Sequence, residues 1–330
     1  MTKVATLSLA TLQIDAAAVA ARIEAGIRDV VCGQLRRKGV VLGLSGGIDS
    51  SVVGALAARA LGGDRVIGLM MPEADSSPDS AMLATRLAEA FGIRTFTEDI
   101  TGMLTAAGCY RRRDDAIRSF IPEYGEGYRC KIVLPDIIRQ PGYSVFSIVV
   151  RTPTGQERRM RIPIDAYLGI VAATNFKQRF RKMMEYYYAD RYRYAVAGTP
   201  NLLEHDQGFF VKQGDGAADV KPIAHLYKSQ VYQLATYLGV PAEIVRRGST
   251  TDTYSLEQSQ AEFFFGLSLE QTDLCMYAKD HRMAPETVAA AVGLTPEQVA
   301  RAYQVIDSKR EAARYLHERP ILIDPNVSHD

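Results

Sequence analysis

Between residues 40 and 100, short apolar runs alternate with amphipathic stretches, and this alternation constrains the fold more than any other feature of the chain. Val40-Val41-Leu42-Gly43-Leu44 reads as a buried strand. A Gly/Ser turn follows, then an Ala-rich helix from Asp49 to about Leu61, broken by Gly62-Gly63-Asp64. Arg65 to Met71 is a second apolar run, residues 79–91 a second helix, and Arg94 to Ile100 a candidate third strand. Uninterrupted apolar strands separated by helices imply parallel pairing with both faces covered. The expected fold class is therefore α/β, a doubly wound, mostly parallel sheet with helices on both faces and right-handed crossovers. Such sheets bind ligands beyond the carboxyl ends of their strands, where the turn at residues 45–47 lies.

The flanking segments are read more coarsely. Ile14, Val19, Ile23, Ile27, Val31 and Leu35 recur near helical spacing, which predicts one helix over residues 12–38, capped by Asp15 and ended by Gly39. Residues 104–163 break the rhythm, are rich in arginine and contain a hairpin: Tyr143–Arg151, the turn Thr152-Pro153-Thr154-Gly155, then Arg158–Ile162. Helix is expected from Asp165 to Ala189, a strand over Tyr194–Gly198, a polar segment over residues 204–219, helix at about 226–238, and small helices over 267–317. The expected organisation is one domain over residues 1–330 with an insertion at about 104–163 and a helical C-terminal tail at about 267–330.

Net charge is +1, so no global field points to nucleic acid or membrane, and an anionic ligand must be met by local charge. The cysteines (Cys32, Cys109, Cys130, Cys275) form no metal-like cluster, the N-terminus lacks a signal-peptide layout, and no apolar run is long enough to span a bilayer. A cytoplasmic protein with free thiols is expected.

Leu44-Ser45-Gly46-Gly47-Ile48-Asp49-Ser50-Ser51 carries the chemistry. Two glycines let the backbone turn tightly against a ligand, and the free N–H groups of the helix start favour phosphate. Ser45, Ser50 and Ser51 add hydroxyls. Asp49 beside phosphate calls for an intervening cation such as Mg²⁺. A Walker A loop would need a lysine that is absent. Gly43-Leu44-Ser45-Gly46-Gly47 also satisfies G-x-S-x-G, the nucleophile elbow of α/β-hydrolases, which would make Ser45 a nucleophile; that reading lacks a recognisable histidine and leaves Asp49 unexplained.

The S-G-G-x-D-S signature resembles the pyrophosphate loop of the N-type ATP pyrophosphatases, which share an adenine nucleotide alpha-hydrolase-like fold and transfer AMP with release of pyrophosphate. The order of further motifs resembles NAD synthetase. Asn175-Phe176-Lys177-Gln178-Arg179-Phe180-Arg181 is followed by Gly198-Thr199-Pro200-Asn201-Leu202-Leu203-Glu204, by Gly208-Phe209-Phe210-Val211-Lys212-Gln213-Gly214-Asp215-Gly216-Ala217-Ala218-Asp219, and by Leu226-Tyr227-Lys228-Ser229-Gln230-Val231. Alone, Asp215 reads as a turn former, Glu204 and Lys228 as solvated charges and Phe209-Phe210 as core; the ordered set lifts them above that.

The resemblance implies an ammonia-dependent enzyme that amidates deamido-NAD through an acyl-adenylate, consuming ATP. It implies that Ser45, Gly46, Gly47, Asp49, Ser50, Ser51, Thr199, Lys228 and Thr250 hold ATP, with Asp49 and Glu204 on Mg²⁺. It implies that Asn175, Arg179, Phe209, Phe210, Lys212, Asp215 and Asp219 meet deamido-NAD, and that Asp49, Lys228 and Asp215 or Asp219 act in catalysis. A related amide ligase acting on a different acid is the alternative. Glutamine-dependent relatives carry an additional amidase domain, for which 330 residues leave no room, so free ammonia or a separate glutaminase is the expected amine source. A homodimer is also implied, with the helix over 12–38 a candidate contact. The chain departs from the family pattern in its longer 104–163 segment, at Ser249-Thr250-Thr251-Asp252-Thr253 and at Ala261-Glu262.

Overall fold

The computed structural model describes residues 7–134, 146–248 and 253–323. Asp15 accepts the N–H of Ala18 (3.0 Å) and so starts α1 (Ala16–Arg28), whose buried stripe is Ala20, Ile23 and Ile27. The expected single helix to residue 38 instead ends in a π-helical turn at Asp29–Gln34, and Leu35 is left exposed. Then come β1 (Val40–Gly43), α2 (Ile48–Leu61), β2 (Val66–Met70), α3 (Pro78–Phe91), β3 (Arg94–Thr97), α4 (Thr101–Ala106) and α5 (Cys109–Arg118).

The insertion holds β4 (Arg129–Val133), β5 (Ser147–Arg151) and β6 (Glu157–Arg161), an antiparallel sheet rather than a lone hairpin. The expected start of the hairpin at residues 143–145 lies outside the described residues. The chain continues through α6 (Ile164–Tyr192), β7 (Ala195–Val196), α7 (Leu202–Gln207), α8 (Lys228–Leu238), α9 (Ala242–Arg246), α10 (Leu269–Asp280), α11 (Pro285–Val292) and α12 (Pro296–His317). The last of these is longer than the small helices expected there.

The main sheet is parallel, in the order β3-β2-β1-β7. Side chains alternate across it. Val40, Leu42 and Val66 enter one core with α1, α2, α3 and α8; Val41, Ile67 and Leu69 enter a second, with Leu104, Tyr188 and Ala189. The amphipathic face of α1 is thus used inside the chain. Small residues let α2 pack closely, and nearly all of it is buried. Gly68 is needed where Leu44 crosses β2, because a Cβ there would lie 2.3 Å from the leucine Cδ1. Since β1 pairs with β2 on one side and β7 on the other, the strand order reverses at β1 and opens a crevice at its carboxyl end.

Candidate active site

That crevice is a cavity of about 1010 Å³, at the upper end for ligand pockets. Its floor is the turn from β1 into α2. Gly46 has φ +71°, and a Cβ there would come within 2.4 Å of the Ser80 carbonyl oxygen, so only glycine fits. The Ser50 hydroxyl donates to the Gly47 carbonyl (3.0 Å) and accepts the Ser45 N–H (3.3 Å), while the Ser51 hydroxyl donates to the same carbonyl (2.8 Å). These bonds set the turn so that the first amides of α2, and its positive dipole end, face the cavity.

Asp49, in the first turn of α2, is ion-paired with Lys228 and accepts the Asn201 side-chain amide (3.0 Å). Lys228 is 1% exposed at the start of α8. Burial disfavours its charge, but Asp49 and Glu204 outweigh that and hold its pKa above the ordinary lysine value. Asp273, itself fully buried, accepts the backbone N–H groups of Lys228 (3.2 Å) and Ser229 (2.7 Å) and so fixes the start of α8; burial pushes its carboxyl up to about 6. Glu204 closes a capping box with Asn201 and accepts from Gln260 (2.9 Å). Burial and then the Asp49 charge push it up to about 8. Two carboxylates therefore face one ammonium, a donor set short of positive charge.

One wall is α6. Tyr167, Val171, Thr174, Gln178, Arg181 and Glu185, spaced by three and four residues, line the cavity along a single face of the helix. Lys182 and Glu185 pair at 2.5 Å beside Gly43, and burial raises the glutamate pKa. Lys177 is buried and spends its three donors on Glu73 (2.9 Å), Asp75 (2.7 Å) and the Thr253 carbonyl (2.9 Å). It thus ties the segment after β2 and the segment at Thr253 to α6. Arg113 also pairs with Asp75 (2.6 Å). Burial opposes the Asp75 charge, yet Lys177 and Arg113 prevail and lower its pKa.

The opposite wall is aromatic. Phe209 stacks on Phe264 (centroids 4.6 Å apart) and meets Phe263 and Phe265 edge-on. Lys309 of α12 lies 4.1 Å over the Phe264 ring and donates to its carbonyl; burial pushes this lysine down to about 7.

Of the residues singled out from sequence, Ser45, Gly47, Asp49, Ser50, Asn175, Thr199, Glu204, Phe209, Phe210, Asp215 and Lys228 line this one cavity. Gly46, Ser51, Arg179, Lys212 and Asp219 are not among its lining residues. Arg179 lies one helical position off the lining stripe and donates to the Lys212 carbonyl (3.3 Å). Lys212 reaches the Tyr315 carbonyl (2.7 Å), and Asp219 accepts the Val196 N–H (2.7 Å). Asp215 accepts the Val211 N–H (2.7 Å), with its pKa raised by burial. Thr250 lies outside the described residues. Among the described residues no histidine lines the cavity, and the Ser45 hydroxyl is paired with that of Ser50 (3.1 Å), which leaves the hydrolase elbow without a base.

Sequence reasoning missed Glu73, Asp75, Lys182, Glu185, Asp273 and Lys309. The three-and-four spacing along residues 167–185 was a signal for Glu185 and for Arg181 over Arg179. The others meet the site only through long-range packing.

The family described as NAD synthase matches residues 19–118 and 161–314. A relative from Rhizobium rhizogenes, an NH(3)-dependent NAD(+) synthetase, is 54% identical over 319 residues, 97% of this chain and 96% of its own. Two solved structures share the fold. One is an NH3-dependent NAD synthetase from Campylobacter jejuni (TM-score 0.61, 21% identity, 94% of this chain and 100% of the other). The second is an NMN synthetase from Francisella tularensis (TM-score 0.59, 22% identity, 95% and 100%). With most of its length matched by the family and by so similar a relative, the chain belongs to the NAD synthase family.

Proposed function

We propose that this chain joins ammonia to the carboxylate of deamido-NAD at the expense of ATP, giving NAD, AMP and pyrophosphate. The observation that carries this reading is the gathering of Asp49, Lys228 and Glu204 at the start of α2, in the same cavity as Asn175, Phe209 and Asp215. One cavity then holds a phosphate end and an acceptor end.

The acceptor's carboxylate oxygen attacks the α-phosphorus of ATP, and the bond to the bridging oxygen of pyrophosphate breaks. Ammonia then attacks the acyl carbon; the proton it sheds passes to a base and AMP leaves. The amides at the start of α2 and the hydroxyls of Ser45 and Ser50 receive the pyrophosphate, with Ser51, Gly46 and Gly47 shaping the turn. Lys228 offsets its growing charge. Asp49 and Glu204 would hold Mg²⁺, which supplies the positive charge that this donor set lacks when phosphates enter. Asp215, on the acceptor side with a raised pKa, suits removal of a proton from ammonium. Thr199 and Thr250 belong to the nucleotide side of this reading. Arg179, Lys212 and Asp219 belong to the acceptor side if substrate or a second copy brings their segments to it. We read the chain as one catalytic unit working as a cytoplasmic homodimer on free ammonia or ammonia from a separate glutaminase. Among the described residues no helix is long and apolar enough to cross a membrane.

The test is pyrophosphate release from Mg-ATP and ammonium, with and without deamido-NAD. Release that depends on deamido-NAD, with NAD and AMP formed in equal amounts, is expected. Release with another carboxylic acid and none with deamido-NAD would keep the ATP site and sink the acceptor.

A further inference from the structure

The family match stops at residue 118 and resumes at 161, so the three-stranded sheet of the insertion lies almost wholly outside it. Yet that sheet is not a remote ornament. Cys130, Ile132, Ile148 and Val150 pack with Ile117, Ala166, Ile170 and Tyr254 in a core of their own, which seats the sheet on the first half of α6. Ile132, Leu134 and Phe146 then reach the cavity as lining residues. Phe146, immediately before β5, stacks on Tyr167 of α6 with centroids 4.2 Å apart and planes 13° from parallel; both rings are only half-buried.

The lining face of α6 runs from Tyr167 to Glu185, about 27 Å at 1.5 Å per residue. Glu185 stands beside Gly43, at the phosphate end. Phe146 and Tyr167 therefore mark the far end of the same trough. A mononucleotide acceptor beside ATP would leave that end empty, whereas a dinucleotide has a second base to put there. Flat rings on a half-exposed wall are the side chains on which a nucleobase stacks.

We infer that the insertion builds a subsite for the distal base of a dinucleotide acceptor, with the Phe146–Tyr167 step as its stacking platform, so that the insertion selects a dinucleotide over a mononucleotide. This rests on the proposed acceptor and adds what recognises its far half.

The experiment compares steady-state constants for the full chain and its Phe146→Leu and Phe146→Tyr variants with deamido-NAD, ATP and ammonium. Phe146→Leu keeps apolar bulk and removes the flat ring, so the KM for deamido-NAD rises about tenfold, the scale of one base on one ring, while the KM for ATP stays within about twofold. Phe146→Tyr restores the original KM. Tyr167→Leu gives the same split and serves if Phe146→Leu does not fold. A deamido-NAD KM unchanged in both leucine variants overturns the inference, as does a rise in the KM for ATP instead. Failure of the unaltered chain to make NAD from deamido-NAD at all would instead overturn the proposed function.

Discussion

Replacing Lys177 by methionine tests the buried charge network beside the site. The lysine side chain is 2% exposed, and that of Glu73 is 0% exposed. Methionine fills much of the same volume but strands the Glu73 carboxylate oxygen that faced the ammonium. Removing one partner of a buried ion pair costs about 3–5 kcal/mol. Arg113 still neutralises Asp75, and Glu73 keeps the Tyr110 hydroxyl (2.8 Å) and the Asp75 N–H (3.0 Å), so the lower end of that range applies. At about 2 °C per kcal/mol for a chain of this size, the melting temperature falls by roughly 6 °C. Adding Glu73→Gln removes the stranded charge and recovers at least about half of the loss, which a double-mutant cycle reads as coupling. The pH dependence has a definite sign. Asp75 is depressed in the folded state, so its contribution is present above the ordinary carboxylate value of about 3.9 and is lost as pH falls through the lowered value. The gap between wild type and Lys177→Met is therefore full at neutral pH and narrows on acidification below about 4. A variant that melts within about 1 °C of wild type, or strictly additive effects of the two substitutions, refutes the reasoning.

Four further outcomes are expected. Asp49→Asn keeps the fold but lowers pyrophosphate release by about a hundredfold or more, measured with saturating ATP; near-normal turnover removes Asp49 from the chemistry. Ser45→Ala keeps a substantial part of the ATP-dependent activity, and no serine reacts with a fluorophosphonate probe; complete loss together with ester hydrolysis by the unaltered chain would favour the elbow. Gly46→Ala forces a side chain at φ +71° into the Ser80 carbonyl, costing about 1–3 kcal/mol and weakening ATP binding; a thermal melt and an ATP titration unchanged from wild type would contradict that. Lys309, pushed down to about 7 by burial, makes wild type gain stability relative to Lys309→Met as pH rises from about 7 toward 10.5, because the unfolded chain still holds a proton that the folded chain has shed; parallel stability curves across that range would count against it.

The parts of the site that the sequence displayed are those made by neighbours in the chain. The Ser45–Ser51 turn is local: its glycines, its serine hydroxyl bonds and its helix start lie within seven residues, so the turn and its ligand class could be read directly. The capping box of Asn201 and Glu204 is equally local. The helix over 12–38 was misjudged because periodicity alone does not register the point at which the i→i+4 ladder slips to i→i+5 near Asp29. The insertion's β4 was missed because its partner β5 begins 14 residues after it ends, across a segment with no turn signature of its own.

Amino-acid order by itself determined the parallel α/β architecture, the phosphate-binding turn and the family, since each depends on periods and spacings of a few residues. Tertiary structure alone decided which charges matter. Lys177 meets Glu73 across 104 positions, Lys228 meets Asp49 across 179, and the start of α8 meets Asp273 across 45. It also decided that Arg181 rather than Arg179 faces the cavity and that the insertion walls its far end. The physical reason is range. Backbone geometry and local hydrogen bonds act over one or two turns of chain, whereas desolvation and Coulomb pairing depend on which distant groups the packed core brings within a few ångströms.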